Sequence, residues 1–209
     1  MRNGGADLLI PTRTSGDEAD SAARVGRAYV HGCTPDPVNR QKDDFYPTPP
    51  IATRALLGVE TFDGPIWECA CGDGAISKIL EATGHSVIST DLVDRGYGTP
   101  RIDFLMEYQA RAPNIVTNPP FKFAREFVNN ALRLTTGKVA ILARLAWLEG
   151  KSRRELFEHS PLARVWVFSG RIPMLRNGDE MMAGGGGMIA FAWFVWEHGF
   201  TGKPTLGWI

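Results

Sequence analysis

The sequence predicts an α/β domain, a mostly parallel sheet with helices on both faces, and three observations carry that prediction. From Asp43 onward short apolar runs alternate with amphipathic stretches, the pattern of a sheet layered between helices. The segment from Pro65 to Thr90 reads strand, helix, strand, a complete βαβ unit. At about 100 to 200 residues per domain, 209 residues suffice for one such domain and give no reason for a second.

Residues 1–42 mix Gly, Arg, Asp, Ser, Thr and Pro without a sustained apolar period, so a flexible tail is expected there and the domain over 43–209. A turn at Tyr46–Pro50 leads into a helix over Ile51–Leu57, and Pro65–Cys69 is the first strand. The helix over 75–83 places Ile76, Ile79 and Leu80 on one face, Gly84 stops it, and Ser86–Thr90 is the second strand. Arg101–Phe104 reads as a short third strand and Asn114–Thr117 as a fourth, halted by Pro119 and Pro120. Phe123, Phe127, Ala131 and Leu134 line one face of the next helix, and Lys138–Ala143 is a buried strand. Ser152-Arg153-Arg154-Glu155 reads as a capping box opening another helix. Arg164–Phe168 and Met188–Trp196 are the last two strands, on either side of a loop that holds Gly184–Gly187.

Composition narrows the function. No run approaches the roughly 18 apolar residues that span a bilayer, which excludes a membrane protein. The N-terminal stretch lacks the apolar core of a secretion signal, so the expected location is the cytoplasm. Cys33, Cys69 and Cys71 are odd in number and two stand too close for an ordinary bridge; reduced thiols are expected, and with scattered histidines no metal site. The 23 basic and 23 acidic residues leave no net charge, so a nucleic-acid partner would have to be held by local cations.

Trp67-Glu68-Cys69-Ala70-Cys71-Gly72-Asp73-Gly74 joins a strand to a helix, where glycines let backbone approach a ligand and the helix start offers free N–H groups. Glu68 and Asp73 would repel a pyrophosphate and suit the cationic amino group of a methionine moiety. Asp91, at the end of the second strand, stands near the spacing of about 20 residues at which an acid takes the ribose hydroxyls of an adenosine ligand. A tight βα turn with a solvated strand-end acid is the plainer alternative. Asn118-Pro119-Pro120-Phe121 follows the fourth strand at its carboxyl end, where open α/β sheets bind ligands. Two prolines leave carbonyls without donors, the Asn amide adds an acceptor and Phe a flat surface, a set that suits a planar amine. The loop from Arg144 to Arg154 interleaves Arg144, Lys151, Arg153 and Arg154 with Trp147, a mix that neutralises phosphates and stacks a base, or equally a solvated helix start over a buried Trp.

These motifs resemble those of the class I S-adenosylmethionine-dependent methyltransferases, and most closely the small adenine-N6 DNA methyltransferases often carried by phages and prophages. The resemblance runs from about Asp43 to Ile209 and implies a Rossmann-like domain with a seven-stranded sheet whose last strand is antiparallel. It implies S-adenosyl-L-methionine as cofactor. Phe45-Tyr46-Pro47-Thr48-Pro49-Pro50 is similar to the family's motif that closes on the methionine end, matched at Tyr46 and Thr48. By the same resemblance Glu68, Ala70, Gly72 and Gly74 surround the methionine and ribose, Asp91 with Leu92 takes the ribose, and Asp103 with Phe104 faces the adenine. Asn118, Pro119, Pro120 and Phe121 stand as the catalytic tetrapeptide, in the motif order of the gamma group. Its implied activity is transfer of a methyl group to the exocyclic N6 amine of adenine in DNA. The tetrapeptide also occurs in enzymes similar to guanine-N2 RNA methyltransferases, and Asn-Pro-Pro in protein glutamine methyltransferases; a non-catalytic cofactor-binding subunit is the remaining alternative. No separate target-recognition domain fits after Phe121, so specificity is expected from loops.

Overall fold

Along Lys138–Arg144 the buried side chains alternate: Val139, Ile141 and Ala143 join one core cluster, Ala140 and Leu142 another. A strand does this only when both faces of its sheet are covered. The structure, a computed structural model, describes residues 45–170, 172 and 189–209. The expected tail over 1–42, Met188 and the Gly184–Gly187 loop lie outside the described residues.

One sheet contains β1 (Ile66–Glu68), β2 (Val87–Ser89), β3 (Asn114–Thr117), β4 (Lys138–Arg144), β5 (Leu162–Val167), β6 (Phe191–Glu197) and β7 (Thr205–Trp208), in the order β2-β1-β3-β4-β6-β5-β7. Neighbours are parallel except along β6, the strand expected over Met188–Trp196, which is antiparallel to β4 and β5. Four described helices cover it: α1 (Pro50–Leu57), α2 (Ala75–Ala82), α3 (Ala124–Leu134) and α4 (Lys151–His159). Ala52 and Leu56 of α1 and Ile76 and Leu80 of α2 enter one core with Val116, Leu142 and Trp193. Phe127, Val128 and Ala131 of α3 enter the other with Ile115, Ile141 and Phe194, where Phe157 of α4 also packs. The architecture is therefore the three-layer α/β sandwich that the alternating pattern predicts.

Four details differ from expectation. Arg101–Phe104 is not a strand: Arg101 has a φ of 64°, in the left-handed region that L-residues avoid, and the Asp103 carboxylate accepts from Leu105 N at 3.0 Å to cap a 3-10 turn over Phe104–Met106. What stands beside β2 is an isolated bridge between Thr90 and Thr99. The seventh strand is β7 instead, added parallel to β5. Phe123, expected on the buried helix face, precedes α3 and is 40% exposed. Finally, α4 starts at Lys151 after Gly150, whose φ is 107°, so Ser152 already lies within the first turn and no side-chain cap forms.

The amino edge of the sheet is tied by one buried carboxylate. Glu60, 5% exposed, accepts from Lys138 Nζ at 2.8 Å, from Trp166 Nε1 at 2.9 Å and from the Arg164 guanidinium, which also donates to Glu197 at 2.6 Å. These bonds join the loop after α1 to the beginning of β4, to β5 and to the end of β6.

Candidate functional site

The chain passes from β2 back across β1 to β3, so strand order reverses between β1 and β3, and the crevice at their carboxyl ends is where a sheet of this kind receives a ligand. The glycine loop leaves β1 on one side of that crevice and Asn118 follows β3 on the other. Gly74 N donates to Cys71 O at 2.8 Å, closing the loop into a turn, and Cys71 N donates to Thr90 O at 3.0 Å, tying it to the end of β2. Gly72 N donates to Asp91 Oδ2 and Val93 N to Asp91 Oδ1, both at 2.8 Å. Asp91 thus holds the loop as well as its own turn, each oxygen keeping a lone pair for another donor.

Gly72 and Gly74 have φ of 56° and 82°, and each glycine lies under an aromatic ring. Phe45 covers Gly72 and Tyr97 covers Gly74, with the Arg95 guanidinium 4.1 Å over the Phe45 ring and the Tyr97 hydroxyl donating to Glu81 at 2.9 Å. The segment resembling the family's closing motif does lie on the glycine loop, through Phe45; Tyr46 is half-buried beside it. Tyr97 and Arg95 went unnoticed in the sequence, although Arg-Gly-Tyr-Gly, beginning four residues after Asp91, marks a glycine-bracketed aromatic. Gly74→Ala is expected to destabilise the fold by at least about 1–2 kcal/mol from the left-handed backbone alone. Its new Cβ would also stand 2.5 Å from Tyr97 Cδ1. Urea unfolding of Gly74→Ala and of Gly74→Ala with Tyr97→Ala checks this: the second change should recover only the steric part.

Glu68 lies beneath the loop, 1% exposed, accepting from Ser77 Oγ at 2.5 Å, and Ser77 Oγ is 2.7 Å from Ser89 Oγ. Burial pushes its carboxyl well above the ordinary value, bonds from Ser77 offset part of that, and the charges of Asp91 and Asp73 add to the rise. Its side chain therefore links β1 to α2 from below. Ala70 is half-buried against the core, whereas Leu92, next to Asp91, is exposed. The Phe104 ring is enclosed by Trp67 and Phe127, with centroids at 5.1 and 4.9 Å, and does the work of packing; Ile102 N, bonded to Asp91 O at 3.0 Å, brings Asp103 toward the end of β2. Cys69 and Cys71 are free and buried, and burial foremost, followed by the Glu68 charge, pushes the Cys71 thiol up to about 12.

Asn118 Nδ2 donates to Thr48 Oγ1 at 3.0 Å, a bond between segments 70 residues apart. Its Oδ1 is buried with no partner among the described residues, one of three such side-chain oxygens; the others are the hydroxyls of Thr53 and Thr117. Pro119 is buried, Pro120 half-buried, and the half-buried Phe121 ring lies 5.8 Å from the Phe191 ring, with the Arg144 guanidinium over it at 4.8 Å. Arg144 ends β4 and is exposed. Trp147, by contrast, meets Phe157, Phe194 and Trp196 at 5.3, 5.2 and 6.2 Å, so its ring belongs to the core and is not offered as a stacking surface. Lys151, Arg153 and Arg154 lie in the first turn of α4, where Arg153 donates to Glu149 O at 2.6 Å and Arg154 pairs with Glu158 at 2.7 Å. Two cations missed in the sequence, Lys122 and Arg125, follow Phe121 directly and are exposed. Lys122, Arg125, Arg144 and Lys151 make no ion pair among the described residues.

No protein-family model and no curated protein matches this sequence. Solved structures do match. One described as a "putative class I S-adenosylmethionine-dependent methyltransferase" from Listeria monocytogenes superposes with a TM-score of 0.54 at 13% identity, over 92% of this chain and 73% of its own. The fold is a class I methyltransferase fold. A "putative RNA methyltransferase" from Pyrococcus horikoshii shares it at a TM-score of 0.52 and 15% identity, over 71% and 80% of the two chains. So does a "modification subunit of a putative type I restriction enzyme" from Vibrio vulnificus, at 0.51 and 15%; the match covers 95% of this chain and 53% of that one. Within this methyltransferase fold, the crevice between the glycine loop and Asn118 is the candidate site.

Proposed function

We propose that the chain transfers a methyl group from S-adenosylmethionine to the exocyclic N6 amine of adenine in DNA. The observation that carries this reading is the unpartnered Asn118 Oδ1, a buried acceptor beside a half-buried aromatic ring at the reversal point of the sheet. A buried acceptor without a partner costs about 1–3 kcal/mol, which a donated amine hydrogen would recover. The residues present fit the cofactor: the crevice side built from the glycine loop carries Asp91, Asp73 and the closing Phe45, a set that favours a cationic amino acid and ribose hydroxyls over a pyrophosphate. When bound, S-adenosylmethionine supplies a methyl group already activated by its sulfonium charge.

The task left to the chain is placement. Asn118 Oδ1 and the Pro119 carbonyl accept the two amine hydrogens and turn the nitrogen lone pair toward the methyl. Phe121 stacks the base once it has left the duplex, at a cost of a few kcal/mol. The amine becomes acidic as it is alkylated, so no strong general base is needed. Incubation with radiolabelled cofactor and either DNA or RNA, followed by nucleoside analysis, tests the reading: N6-methyladenine in DNA is expected, N2-methylguanine in RNA would replace it with the RNA alternative, and no label in either would reject nucleic-acid methylation.

DNA is held by a neutral chain only if some of its cations are gathered locally, and among the described residues Lys122 and Arg125 after Phe121, Arg144 at the end of β4 and Lys151 at the start of α4 are exposed and without ion pairs. Arg154 is answered by Glu158, so the burden shifts from the expected Arg153 and Arg154 toward Lys122, Arg125, Arg144 and Lys151. Each phosphate neutralised contributes a slope of about −0.9 in log affinity against log salt. Lys122→Ala with Arg144→Ala should therefore flatten that slope by up to about 2, with cofactor affinity unchanged, and Arg154→Ala should do less. Anisotropy titrations across a salt series measure it; an unaltered slope in the double variant would move the DNA track elsewhere.

A further inference from the structure

Thr48 is 4% exposed, and its hydroxyl is bonded to the Asn118 amide. Both partners of this bond precede a pair of prolines, Thr48-Pro49-Pro50 and Asn118-Pro119-Pro120. A residue before proline is confined to extended backbone, and each proline has its φ fixed, so the bond joins two stiff segments. Pro49 and Pro50 also begin α1, whose Ala52 N donates to Pro49 O at 2.9 Å, and this anchors the Thr48 side to a helix.

We infer that Thr48 is a positioning residue that braces the Asn118 side chain so that its Oδ1 is held toward the substrate. The inference rests on the amine-methylation reading. An Asn side chain without a brace turns about its last bonds, and an acceptor that swings away from the amine no longer orients it. An amine substrate is held by the oxygen and opposed by the hydrogens. With the Thr48 hydroxyl accepting from Nδ2, Oδ1 is the atom left unpartnered. The closing segment and the tetrapeptide thus act as one device, with the rigid Thr-Pro-Pro holding the amide of the rigid Asn-Pro-Pro in register.

Thr48→Val keeps the shape and removes the hydroxyl; Thr48→Ser keeps the hydroxyl. The valine variant should lose about tenfold in kcat at saturating cofactor, roughly the worth of one hydrogen bond, with a thermal midpoint near the parent's, and the serine variant should recover most of it. A role confined to packing predicts the opposite order, because serine leaves the γ-methyl space empty. The Asn118 side-chain amide is read independently by NMR: its hydrogens should exchange slowly in the parent and in Thr48→Ser, and faster in Thr48→Val. Unchanged kcat in Thr48→Val, or no rescue by serine, overturns the inference. If the parent transfers no methyl, the function reading has failed by itself, and equal amide exchange in parent and valine variant would then still overturn the positioning role.

Discussion

Asn118→Ala should lower kcat by about 100-fold or more while S-adenosylmethionine affinity stays within a few-fold of the parent. In the proposed mechanism the side chain supplies the acceptor that orients the amine, and misplacing a reacting atom by an ångström can cost a factor of that order. It supplies nothing to the glycine loop, whose anchors are Asp91 and Thr90, so cofactor binding by calorimetry should be spared. Loss of Nδ2 leaves the Thr48 hydroxyl without its donor, a cost of about 1 kcal/mol that unfolding would register as a small shift. Asn118→Asp keeps an acceptor toward the amine and should retain more activity than the alanine. Full turnover by Asn118→Ala with intact cofactor binding would end the proposed mechanism.

Glu60→Ala should be the most destabilising of the substitutions considered. Removing the carboxylate strands Lys138 and Arg164, whose side chains are 19% and 22% exposed, and leaves the Trp166 indole N–H without its partner. Breaking one side of such a buried pair costs about 3–5 kcal/mol, which in a chain of this size lowers Tm by roughly 6–20 °C. A pH signature accompanies it. Burial alone would raise the Glu60 carboxyl, but hydrogen bonds from Arg164, Lys138 and Trp166 and the charge of Lys138 outweigh that and hold it below its ordinary 4.5. A depressed carboxyl lends stability that is fully present above the unfolded value and is lost as pH falls through the folded one. Tm measured from pH 7 to pH 3 should fall more steeply in the parent than in Glu60→Gln; parallel curves would show that this carboxylate is not the group that titrates.

The layers were legible because burial on two faces writes itself into composition. Val139 to Ala143 is a continuous apolar run, and Ile76 and Leu80 recur at helical spacing. What failed was decided by contacts that leave no period. Thr205–Trp208 carries a glycine and alternates weakly; it is a strand because β5 offers an open edge. Arg101–Phe104 has the composition of a short strand, yet Asp103 bonds its own backbone two residues on and turns the chain. In the site, Asn118 and Asp91 stood out by type and by position at strand ends. Tyr97 over Gly74 did not, and although Phe45 and Thr48 lie in the segment that resembles the closing motif, their contacts with Gly72 and Asn118 depend on distant segments meeting. Trp147 misled because an aromatic among cations looks the same whether it faces a base or Phe194.

Strand β4 begins at Lys138, inside the Glu60 network, and ends at Arg144, against Phe121. Seven residues at about 3.3 Å each put roughly 20 Å between the two. Substitutions that far apart, with no shared partner, add in free energy with little coupling. The rim around Asn118 is thus free to diverge, because instability introduced there can be compensated at the far end of the same strand without disturbing the crevice. In a lineage under pressure to change what it recognises, sequence drift should concentrate at the carboxyl edge while Glu60 and its cations change together or not at all.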